Sequence, residues 1–81
     1  MISRDAIETA YSFFHQKQRI YAHSTIVKQK DDIEYAIFSY IQEMNKELYM
    51  KISGGKKDFL LNHATFGNDM VQAVERLSEM L

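Results

Sequence analysis

Proline is absent from this 81-residue chain and its glycines stand only at positions 54, 55 and 67. Residues 1 to 53 therefore contain neither of the residue types that most readily interrupt a helix. Long helices are permitted, and the apolar spacing asks for them. Ser3 is placed to cap a first helix, with Asp5 in the turn where a negative charge meets the positive end of the dipole. Beyond it, Ile7, Ala10, Tyr11, Phe14 and Tyr21 share one face. Ala6, Phe13, Ile20 and Val27 form a second stripe about 100° away, so this helix calls for two neighbours.

A second helix is expected to open at Asp31, because Glu34 follows three residues later at capping-box spacing. Ile33, Ala36, Ile37, Tyr40, Ile41, Met44 and Leu48 then recur at three- and four-residue steps as far as Ile52. Gly54 stands where a left-handed residue ends helices. Asn45 could instead cap a separate short helix, leaving a kink near Met44. After SGGKK, Asp58 can cap a third segment whose row reads Phe59, His63, Phe66, Met70, Val74, Leu77, Leu81. Gly67, followed by Asn68 and Asp69, can break that segment in two. The expectation is an all-α bundle of three to four helices, spanning 3–22 or 3–28, 31–53 and 58–81, as a single domain over 1–81. Two strand readings compete with it. RIYAHSTIV at 19–27 is rich in β-branched and aromatic residues, and ELYMKIS could pair with KKDFLL across Gly54 and Gly55 as a hairpin. Over 19–27 a short loop or helix break around His23 to Thr25, with Ser24 as a possible new cap, is favoured over the strand.

Charge enters through its distribution rather than its total. Ten Lys and Arg against eleven Asp and Glu give no global pull toward a polyanion. Yet Thr9 to Lys30 holds Lys17, Arg19, Lys28 and Lys30 with no acid, and an acidic stretch carrying Asp31, Asp32, Glu34, Glu43 and Glu47 follows. Packed antiparallel, the first two helices would set the basic end of one beside the acidic start of the other. The rival reading makes Lys17, Arg19, Lys28 and Lys30, with Tyr21 and His23 interleaved, a weak nucleic-acid contact surface.

No catalytic or ligand-holding constellation is evident. Cysteine is absent, which removes thiolate chemistry, disulfides and Cys-ligated zinc. His15 and His23 are two helical turns apart, about 12 Å along the axis, too far to share one ion. His63 falls in the apolar row and is read as a neutral imidazole inside or at the edge of the core. Asp31 and Asp32 are read as capping residues, and the hydroxyls lie in no nucleophile motif. SGGKK lacks the spacing and preceding strand of a phosphate loop. No cofactor, metal or small-molecule substrate is expected. No apolar run is long enough to cross a bilayer and MISRDAIE lacks the features of a signal peptide, so a cytoplasmic location is expected.

What remains is a surplus of apolar positions. Hydrophobic residues make up 46% of the chain, more than three narrow helical faces need. Tyr35 and Phe38 project away from the Ile33–Ile37–Tyr40 stripe, and Phe13 and Ile20 lie on the second stripe of the first helix. Large exposed apolar patches on small proteins usually mark interfaces. Phe13, Ile20, Tyr35 and Phe38 are therefore the candidate interface of a non-enzymatic interaction or regulatory module, either a homodimer or a binder of another protein.

Overall fold

The computed structural model describes residues 2–81 and is all-helical: α1 Arg4–His23, α2 Val27–Glu43, α3 Lys46–Ser53, a short 3-10 helix His63–Thr65, and α4 Phe66–Met80. Neither proposed strand forms. Residues 19–23 complete α1, 24–26 link it to α2, and ELYMKIS lies in α3. Periodicities of both kinds were present locally, and burial of the helical stripes decided between them.

Ser3 caps α1 as expected, its Oγ accepting from the Ala6 N–H at 3.1 Å. The helix stops at His23, so the longer option reaching residue 28 does not hold. Ser24 provides the break without glycine or proline: its Oγ donates to Gln29 Oε1 at 2.6 Å and accepts from the Ile26 N–H at 3.3 Å. Hydroxyl bonding of this sort offers the backbone an alternative to the helical ladder. The chain then re-enters helix at Val27, four residues before the expected start at Asp31. No side chain caps this end. Asp31 and Glu34 consequently fall in the second turn, where they cap nothing.

Asn45 does cap a separate helix, its Oδ1 accepting from the Leu48 N–H at 3.1 Å, and it divides the expected 31–53 segment into α2 and α3. Gly54 ends α3 with φ +62. The left-handed backbone is what favours glycine here; a Cβ would stand 2.7 Å from Arg76 Nη1, at the flexible end of a side chain that would have to shift. The expected helix from Asp58 fails. Residues 57–61 form successive turns, and Leu60 has φ +63, which an α-helix cannot accommodate. Gly67 is no break either. It lies in the first turn of α4, with the Tyr21 ring 3.5 Å from where its Cβ would be.

The core is formed by Ala10, Phe14, Ile33, Ile37, Leu48, Ile52, Phe59, Leu60, Phe66, Met70, Ala73 and Leu77. α1 packs chiefly on α4, which in turn holds α3. The second stripe of α1 meets α2: Phe13 stacks on Tyr40 with centroids 4.3 Å apart, and Phe14 meets the same ring edge-on at 5.6 Å. Together with the Tyr21–Glu34 contact nearer the link, these place α2 antiparallel to α1. Of the second stripe only the Phe13 part is covered in this way: Ile20 stays exposed, and Val27 falls in α2 instead of α1. No helix among the described residues is long and apolar enough to cross a membrane.

Candidate functional site

Three places bring side chains from different elements together. The most buried is centred on Asp69, whose early position in α4 points its carboxylate under the 54–65 connection. It accepts from Lys56 Nζ at 2.9 Å, from the Leu60 N–H at 3.0 Å and from Thr65 Oγ1 at 3.3 Å. Lys56 Nζ also lies 2.9 Å from Thr65 Oγ1. A lysine beside a hydroxyl is the geometry of an activated nucleophile. Here, however, the ammonium serves as counter-ion to a carboxylate that is only 2% exposed. Each member is occupied in holding the connection, and no buried side-chain polar atom among the described residues lacks a partner. Tyr49 adds a bond from its hydroxyl to the Phe59 carbonyl at 2.7 Å, and Arg76 donates to the Ile52 carbonyl. Burial, with the charges of Asp69 and Asp58 behind it, raises the Tyr49 phenol above its ordinary range. Lys56, the first lysine of SGGKK, is therefore engaged within the fold by Asp69 and Thr65.

The second place joins α1, α2 and the 3-10 helix. Glu34 accepts from Tyr21 Oη at 3.3 Å, and His63 Nδ1 lies 2.8 and 2.9 Å from its two oxygens. His63 was expected in or beside the core, but its side chain is 79% exposed. The turn at Leu60 and the 3-10 segment take residue 63 off the helical row that runs on from Phe66. Its hydrogen bond to Glu34, reinforced by that residue's charge and by Asp31, raises the imidazole above its ordinary pKa near 6.5. A raised imidazole contributes stability that is complete below the unfolded value and lost as pH rises through the folded one. Wild-type protein should therefore lose thermal stability relative to Glu34→Gln as pH climbs from 6 toward 8. The measurement is Tm at a series of pH values, with His63 followed by proton NMR. Parallel pH profiles in the two proteins would rule the contact out as a titrating one.

The third is apolar. Tyr35 is 74% exposed and Phe38 46%, one turn apart on α2, and Val27 at its start is 72% exposed. A cleft of about 350 Å³ lies between α2, α3 and the connection, lined by Ile41, Gln42, Lys46, Tyr49, Met50 and Leu61. Of the other two candidate interface residues, Ile20 is 37% exposed on α1, while Phe13 is half-buried against Tyr40. Tyr35 and Phe38 thus stand together, Ile20 stands on another helix, and Phe13 is engaged within the fold. Met50 and Leu61, 63% and 46% exposed, line the cleft and are apolar surface that the sequence reading does not single out. Met50 lies on the outer side of α3, a face that is defined only once the kink at Asn45 is known.

The four cations are not gathered. Lys17 lies over the Phe13 ring at 5.6 Å and Lys30 over the Tyr21 ring at 5.0 Å. Lys28 pairs with Asp32 at 3.1 Å within α2. Arg19 is exposed, two positions from Lys17 and so roughly 160° away around α1. Arg19 lines an open depression of about 470 Å³ with His15, Gln16, Ile20 and His23. The expected charge match between α1 and α2 is likewise not made through ion pairs among the described residues. The early start of α2 puts Lys28 and Lys30 on the acidic helix itself. No group of three or more His, Asp or Glu among the described residues is placed to hold a metal ion.

Comparison with protein-family models, with curated proteins and with solved structures finds no match to this chain.

Proposed function

We propose that this chain is a non-enzymatic helical interaction module that self-associates as a homodimer through the outer face of α2. The observation that carries this reading is the adjacency of Tyr35 and Phe38, two large rings left in water on a helix whose opposite side, at Ile33 and Ile37, is buried. Rings of this kind contribute most where they become desolvated in a partner surface. The same rings contribute little to a monomer, since an exposed aromatic gains no burial there.

The expected result is a wild-type mass of two chains by sedimentation equilibrium. Tyr35→Ser combined with Phe38→Ser should weaken association at least about tenfold, which corresponds to roughly 1.4 kcal/mol. Circular dichroism and the urea midpoint should change little, because both positions lie outside the core. A wild-type protein that stays monomeric up to about 1 mM, where even association of roughly 4 kcal/mol would register, removes the reading.

A further inference from the structure

We propose that the second copy seats antiparallel on α2 about a two-fold axis passing between Tyr35 and Phe38. This rests on the self-association proposed above and adds its partner geometry. Lys28, Asp31, Tyr35, Phe38 and Gln42 are all exposed on α2. They recur at alternating steps of three and four, the spacing of a seam along which two helices lie side by side. With one copy reversed, Tyr35 of each chain meets Phe38 of the other, and four rings occupy the centre. Asp31 comes level with Gln42 of the second copy, whose amide donates to the carboxylate. Lys28 comes within reach of Glu43 of the second copy.

The charges select this direction. Glu43 makes no ion pair among the described residues, and the only ion-pair partner of Lys28 among them is the exposed Asp32 on the same helix. The antiparallel arrangement supplies each with an opposite charge, sets the helix dipoles against each other and closes at two chains. A parallel arrangement would place Asp31 on Asp31 and Lys28 on Lys28, which repel.

The chain has no cysteine, so single cysteines report cleanly. Asp31→Cys and Gln42→Cys are prepared separately and mixed, then exposed to mild oxidation. The expected result is cross-linked dimer in the mixture and none from either variant alone, because like positions would lie roughly 16 Å apart along the antiparallel pair. Lys28→Glu should weaken association about tenfold, and adding Glu43→Lys to the same chain should restore it. Cross-linking of either variant alone overturns the proposal. So does a failure of Glu43→Lys to restore association. A dimer by sedimentation with no cross-link in the mixture overturns this geometry while leaving self-association standing, whereas a wild-type monomer overturns both.

Discussion

Asp69→Ala is expected to lower the free energy of unfolding by about 3 kcal/mol, among the largest effects of any single substitution in this chain. The loss has two parts. The buried Leu60 N–H is left with no acceptor, and Lys56 keeps a charge whose counter-ion has gone. Removing one partner of a buried pair commonly costs about 3–5 kcal/mol. The Lys56 side chain, 36% exposed, can turn to water, which puts its share below that range. For a domain of this size, whose whole margin is on the order of 5–10 kcal/mol, the effect on a urea curve is large. Asp69→Asn keeps an acceptor for Leu60 and loses only the charge, so about half the effect is expected. A loss below about 1 kcal/mol for Asp69→Ala would mean that the connection is held by its apolar residues instead.

Phe14→Ala should cost about 3–5 kcal/mol, the range for emptying a fully enclosed aromatic site. Phe14 is wholly buried on α1, and its ring meets both Phe13, at 6.0 Å, and Tyr40 on α2, edge-on. Alanine would leave a void on the α4-facing side of α1 and remove a wall of the site that seats Tyr40. Phe14→Leu fills most of the space and should cost nearer 1 kcal/mol. Equilibrium urea denaturation of the two variants gives the comparison. Equal costs would show that the edge-to-face contacts, which leucine also loses, matter more than the volume.

The features that could be read from sequence were those decided within a few residues. Ser3, Asn45 and Gly54 act through bonds or φ values set by their immediate neighbours, so a cap or a stop could be named in advance. The same local logic misplaced the start of α2. Asp31 and Glu34 have capping spacing, yet α2 begins at Val27, straight after the break around His23 to Thr25 that Ser24 does allow to be read from the sequence. The 54–65 connection was hidden for a different reason. Leu60 has a positive φ, and its N–H is accepted by Asp69, nine positions later. His63 left its apolar row as a result of that turn and found Glu34, 29 positions earlier. On the surface, Tyr35 and Phe38 could be assigned to the outer side of α2 from helical spacing alone. The cations could not be placed, since their surroundings depend on where α2 begins.

The dominance of the α1–α4 contact has a consequence for assembly. α1 finds its main neighbour in α4, so the side of α1 that packs there, Ala10 included, stays wet until α4 has been synthesised and docked. Loop-closure entropy must be met across α2, α3 and the 54–65 connection before that burial returns anything. Consolidation is therefore a late and concerted event, and a nascent chain stalled before Phe66 would display a greasy surface suited to capture by a chaperone.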